Sequence, residues 1–298
     1  MNTYTVAVRD YPHTTPLKAG AHTVEACRLE FPEYDPIYKA FAPMVRELRF
    51  DVCEMAIATY LQAREAGKAI SLLPLVMSGN LHHHSLTRFS GAPAVDPREL
   101  AGARIGVRAY TQTTGLWVRG ALSEDYGVHA DEVTWVTTEG PHVLEYQEPA
   151  NVQRSDKSLI EMARDGDVAA VIRGPIALEG DGGALVPVIE DWRAAEAAWQ
   201  ERHDGATPIN HMVTVRTELL QSDPESVRAI YDAFCWGIDN AGEDTTEAAR
   251  YRAVAHGLTD EVRASLQAAV AYALEQRLIT EPVNIDDLVS DFERHVVA

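Results

Sequence analysis

Residues 104–120, Arg-Ile-Gly-Val-Arg-Ala-Tyr-Thr-Gln-Thr-Thr-Gly-Leu-Trp-Val-Arg-Gly, constrain the fold more than any other stretch of the chain. Ile105–Val107 is a short apolar strand, and a helical pattern begins directly after the Tyr110–Thr114 turn and runs to about Tyr126. Another apolar run, Val133–Val136, follows. A strand, a helix and a strand in close succession read as a βαβ unit, which requires a mostly parallel sheet covered by helices. The turn carries a second message. A helix N-terminus leaves backbone N–H groups unpaired and holds about half a positive charge from the helix dipole, so it is ready to receive a carboxylate. One threonine would cap the helix, whereas Thr111, Thr113, Thr114 and Gln112 crowd a single turn. Ordinary capping and anion binding both account for that composition.

The alternation extends along the chain. Thr5–Val8, Phe50–Val52, Ile70–Val76 and Ala169–Ile172 read as strands, with Leu86–Phe89 expected to pair with Ile70–Val76. Helices are expected over Pro36–Arg49, Ala56–Ala66 and Leu159–Arg164. After Pro208 a strand at His211–Val215 precedes long helices over Ser226–Ala241, Glu261–Gln276 and Ile285–Val296, which read as scaffold or oligomer contact. Glu179–Gly183 is a Gly-rich surface loop. The expected plan is α/β with two lobes, the first formed by 1–104 and 211–298 and the second by 105–210. Ligands in such folds sit at the carboxyl ends of strands, between the lobes.

The 298 residues carry a net charge of -19, which opposes nucleic acid and anionic membrane as partners by long-range repulsion. No apolar run approaches the ~20 residues that span a bilayer. The N-terminal segment reads as a first strand with no leader, so a cytoplasmic location is expected. Cys27, Cys53 and Cys235 lack metal-site spacing and read as small buried hydrophobes in a reducing compartment.

The strand ends carry a family likeness. Asp10-Tyr11 with Thr14, Phe50 to Met55 running on to Tyr60-Leu61, His84-Ser85, Gly106-Val107, Tyr110 with Thr113, Trp117, Arg119-Gly120, Tyr126 to Val128, Trp135 to Thr137, Arg173 with Pro175, and Pro208-Ile209 with His211 form a colinear set. With these motifs the chain resembles the 4,5-dihydroxyphthalate decarboxylases, relatives of type 2 periplasmic binding proteins. The resemblance implies a two-lobed type 2 periplasmic-binding-protein-like fold with mixed sheets flanked by helices. It also implies a small hydroxylated aromatic acid as substrate and non-oxidative loss of its carboxylate. Asn80, His83 and His13 stand where the family carries arginines, and Ala109 where it carries a glutamate. Fewer guanidinium clamps imply an acid with one carboxylate where the family's namesake has two.

Decarboxylating such a ring needs a general acid for the carbon bearing the carboxylate, a base or acceptor for the hydroxyl, and a dry pocket. His84 and His211, at strand boundaries, are the first choices for the acid, and Glu54 and Asp10 for the base. Tyr11 and Tyr110 suit stacking on or hydrogen bonding to the ring, with packing as the competing role. The Thr111–Thr114 turn and Arg173 form the expected carboxylate clamp. Thr14, His83 and Ser85 join the substrate-binding set through the resemblance. No cofactor is chemically obligatory. If the run His82-His83-His84 is extended, His82 and His84 share a face and, with Asp10, Glu54 or His211, suit a divalent metal. Trp117 is expected in the core of its helix and Arg119 is expected to be structural. The alternative to an enzyme is a solute-binding protein for a small aromatic or heterocyclic acid, and a related lyase acting on another small acid is a third reading. A homo-oligomer is compatible with the sequence.

Overall fold

The computed structural model of the chain describes residues 1–174, 183–241 and 253–297. Pro175 and most of the Glu179–Gly183 loop lie outside them. In chain order, β1 (Asn2–Ala7), α1 (Thr15–Lys18), β2 (Cys27–Glu30), α2 (Phe41–Glu47), β3 (Val52–Ala56), α3 (Ile57–Glu65) and β4 (Ile70–Gly79) build most of one lobe. β5 (Leu86–Phe89), β6 (Arg104–Val107), α4 (Thr113–Tyr126), β7 (Thr134–Thr137), β8 (Val152–Arg154), α5 (Leu159–Asp165), β9 (Ala170–Ile172), β10 (Leu185–Pro187) and α6 (Trp192–Arg202) build the other. The chain then returns through β11 (Ile209–Arg216), α7 (Thr217–Ser222), α8 (Pro224–Asp239), β12 (Ala255–His256), α9 (Asp260–Glu275) and α10 (Ile285–Phe292).

Two six-stranded sheets result, in the orders β12-β4-β11-β3-β1-β2 and β10-β5-β9-β6-β7-β8. In the first, β1 and β3 run parallel while β11 is antiparallel to both β3 and β4. In the second, β6 pairs in parallel with β7 and β9, as the strand-turn-helix reading requires. All five residues of β3 are buried, as expected of a strand inside a sheet covered by helices on its faces. Burying each large aliphatic chain of such a strand stabilises the fold by about 1.5–3 kcal/mol.

Two expectations about organisation need correction. Leu86–Phe89 does not pair with the Ile70–Val76 strand; β5 pairs with β9 and β10 in the second sheet. The first crossing between lobes therefore falls at residues 80–85, upstream of the expected boundary at 104. A four-residue apolar strand has no intrinsic preference between two sheets, so pairing is settled by tertiary contacts. The second departure concerns α9. It packs on α3, β11 and α10 of lobe 1, as expected, but it also reaches lobe 2: its Tyr272 ring lies against Gly120 and its Gln276 cap hydrogen-bonds into α4.

Candidate active site

Glu54 is a buried carboxylate in β3 whose partners come from the turn after β1 and from β11. In the β3–β11 ladder Glu54 lies opposite Val213 and Ala56 opposite His211, so Glu54 and His211 occupy one face on a diagonal within reach of long side chains. The Glu54 side chain is 0% exposed, and its carboxylate accepts three hydrogen bonds. The Arg9 backbone N–H reaches Oε2 at 2.9 Å, the Tyr11 hydroxyl reaches Oε1 at 2.8 Å, and His211 Nδ1 reaches Oε1 at 2.6 Å. Burial pushes the carboxyl upward, but the bond and charge of His211, the Arg9 amide and the Tyr11 hydroxyl outweigh it and hold the group below the usual carboxylate range. Burial and the adjacent Glu54 charge push Tyr11 well above an ordinary phenol, so it stays a donor. The carboxylate assigns the His211 proton to Nδ1 and leaves Nε2 as the working nitrogen. The His211 side chain is 21% exposed while its partner is sealed, so the imidazole alone opens to the seam.

Rings surround this dyad. His13 stacks on Tyr11 with centroids 4.8 Å apart and planes 9° apart. Phe41 packs edge-on to His211 at 5.2 Å and to His142 at 5.8 Å. His142 comes from lobe 2, binds Thr59 Oγ1 through Nδ1 at 3.0 Å, and is pushed down to about 4 by burial and by Arg108 and Arg46. Sequence reading missed His142 because it sits in a loop without periodicity.

The turn before α4 lies in the same seam. Thr111, Thr113 and Thr114 are all buried, and Thr113 Oγ1 accepts the Ala58 backbone N–H at 3.3 Å, which brings the first turns of α3 and α4 together. Neither N-cap residue, Ala56 or Gln112, closes its side chain onto its helix. The crowd of hydroxyls therefore does not serve as the helix cap.

Other expected site residues lie elsewhere. Asp10 is 72% exposed and pairs with Lys18 on the surface, away from the dyad, because the turn after β1 directs it outward. Thr14 donates to Arg9 O at 2.6 Å and accepts the Tyr11 N–H at 2.8 Å, so it closes the turn that presents Tyr11. Tyr110 turns its hydroxyl to Gln276 O at 2.9 Å and lies beneath the Arg119 guanidinium, so its ring packs between α4 and the end of α9. The histidine run is not extended: His83–Ser85 forms a 3-10 turn, so the alternation argument for a shared face fails. His82 Nε2 meets Asn210 Oδ1 at 2.7 Å, His83 Nε2 meets Asp125 Oδ2 at 2.9 Å, and His84 Nδ1 meets Glu196 Oε1 at 2.7 Å. Among the described residues, no group of three or more His, Cys, Asp and Glu side chains is arranged to hold a metal ion. His84 also packs against Trp192 at 5.0 Å, which makes it a support of α6 in this arrangement. Ser85 is buried with its hydroxyl unpartnered, and its carbonyl accepts the Arg173 backbone N–H at 3.0 Å. Arg173 thus stands at the carboxyl end of β9, beside the first crossing.

Two lobes, each a mixed sheet, with strand ends meeting at a seam define the periplasmic-binding-protein fold, and solved structures agree. A Candida albicans gene product with the generic periplasmic binding protein fold aligns with a TM-score of 0.61 at 14% identity, covering 99% of this chain and 96% of that one. The periplasmic aliphatic sulphonate binding protein SsuA of Escherichia coli aligns with a TM-score of 0.60 at 10% identity, covering 99% and 91%. The desulfurization enzyme DSZB aligns with a TM-score of 0.58 at 17% identity, covering 99% and 100%. These likenesses show the fold alone. In sequence, the chain is 28% identical over 250 residues to the 4,5-dihydroxyphthalate decarboxylase of Comamonas testosteroni, covering 77% of this chain and 72% of that protein. It is 31% identical over 135 residues to the enzyme of the same name from Pseudomonas putida, covering 44% of this chain and 51% of that protein. The resemblance read from the motifs thus holds across most of the chain, although no family model matches it.

Proposed function

We propose that the protein is a carboxy-lyase that removes carbon dioxide, without oxidation, from a small hydroxylated aromatic carboxylic acid held in the inter-lobe seam. The observation that carries this reading is the 2.6 Å bond between sealed Glu54 and open His211, in a chain similar to two decarboxylases. His211 Nε2 donates a proton to the ring carbon that bears the carboxylate. Glu54 stabilises the imidazolium before transfer and holds the ring in place afterwards. The carbon–carbon bond then breaks, its electron pair restores the aromatic ring, and carbon dioxide leaves. One proton enters and one carbon dioxide departs, so the balance needs no redox partner. Tyr11 and His13 offer a stacked wall for the aromatic ring, and the Thr111–Thr114 turn with Arg173 orients the acid's anionic end. The three free thiols suit a reducing, cytoplasmic setting.

The test incubates the purified protein with a panel of hydroxybenzoic and hydroxyphthalic acids, with and without chelator, and measures released carbon dioxide. Release from at least one acid, unaffected by chelator, is the expected result. Thermal stabilisation by an acid with no release from any would replace the enzyme by a solute-binding protein of the same fold.

A further inference from the structure

Arg119 stands in the second turn of α4, and a helical side chain leans toward the N-terminus of its helix, so its guanidinium is carried back to the first turn. It is 1% exposed. Nε donates to Gln276 Oε1 at 2.7 Å and Nη2 to Tyr110 O at 2.7 Å, while Nη1 is buried without a partner. The cation lies over the rings of Tyr110 at 4.2 Å and Trp135 at 5.2 Å. A Cβ on Gly115, in that first turn, would stand only 2.9 Å from Nη1, so the absence of a side chain there is what admits the group. Among the described residues no carboxylate pairs with Arg119, and burial pushes its guanidinium below the usual range. Taking an unpaired guanidinium out of water costs several kcal/mol, and neutral acceptors and aromatic faces return only part of that.

The position of this uncancelled charge decides what it does. It sits directly behind the uncapped N-terminus of a 14-residue helix, whose dipole already presents positive potential to the seam. In a buried setting a unit charge acts across several ångströms with little screening. The molecule as a whole carries -19 and repels anions, so the seam needs a local source of positive potential.

We propose that Arg119 is an electrostatic positioning residue, whose buried charge behind the first turn of α4 draws the acid's anionic end to the Thr111–Thr114 turn without touching it. The inference rests on the reading of the seam as an aromatic-acid site. Its test measures, by calorimetry, the binding of the tightest acid of the panel and of the uncharged carboxamide of the same ring. Arg119→Gln is expected to weaken the acid about tenfold or more while changing the carboxamide less than twofold, and Arg119→Lys is expected to restore most of the acid's affinity. Should Arg119→Gln not fold, Gly115→Ala displaces Nη1 from the turn and is expected to weaken the acid alone, by a few-fold. Equal losses for acid and carboxamide, no loss for either, or no rescue by lysine would overturn the inference and leave the function intact. A wild-type protein that binds no acid of the panel would overturn both.

Discussion

Glu54 shows how a single residue acquires a function from its surroundings. Burial alone favours the neutral acid, and only three donors, the His211 imidazole among them, keep it ionised. Replacing it by glutamine keeps the shape and removes the charge that stabilises imidazolium. Glu54→Gln is therefore expected to lower kcat by about 100-fold or more, with circular dichroism unchanged. His82 illustrates the opposite balance. Burial, aided by the neighbouring His84 and His83, holds it down at about 3 against an ordinary 6.5, with only the Asn210 bond acting upward. Its stability contribution is complete above pH 6.5 and declines as pH falls from 6.5 toward 3, because unfolding lets the ring take up a proton. Urea unfolding of the wild type and of His82→Gln is expected to show a loss of stability from pH 7 to pH 5 that is about 2 kcal/mol smaller in the variant, His142 adding a further loss of the same sign to both. Glu54 and His211 were singled out in the sequence as polar residues at strand boundaries, and the structure places both within strands, β3 and β11, on one face. Asp10, Thr14 and Tyr110 occupy the same kind of position but turn outward, into a turn or into the lobe. Spacing reports where a residue lies along a strand, not which way the following turn directs its side chain.

Among the elements, α8 bears on the site from a distance. Gly237 lies against the backbone carbonyl of His13, so a methyl group there would overlap main chain that cannot swing aside. Gly237→Ala is expected to cost about 1–3 kcal/mol in denaturant unfolding. It is also expected to reduce turnover beyond that loss, because the displaced loop carries both Tyr11 and His13. Full activity with wild-type stability would show that the loop is not held by this contact. The strand-turn-helix at 104–126 was the most legible element, since an apolar strand, a polar turn and a helical period follow one another without interruption. The short strands β2, β8 and β10, of three or four residues, were not, because so few residues establish no period. The histidine run failed for a related reason: a three-residue 3-10 turn reads the same as an extended segment.

At the scale of the whole molecule, two crossings join the lobes, and the His82–Asn210 bond ties one crossing to the other. Opposite them, the Arg46 guanidinium donates to the carbonyls of Pro141 and His142, and Lys68 pairs with Glu145 across the seam. Glu54 and the Thr111, Thr113 and Thr114 turn are buried, while the His211 imidazole keeps partial exposure. That α9 packs on both lobes could not be read from its helical period, which identifies an apolar face but not the elements that cover it. The fold is shared with sulphonate-binding proteins and with a desulfurization enzyme, so architecture is silent on turnover and the dyad must carry the claim. Turnover of the active acid in deuterium oxide, followed by NMR of the product, tests that claim most directly. One deuterium is expected at the vacated ring carbon for each carbon dioxide released, with a rate at least about 100-fold lower in a folded His211→Asn variant. An undiminished rate in that variant would contradict the claim.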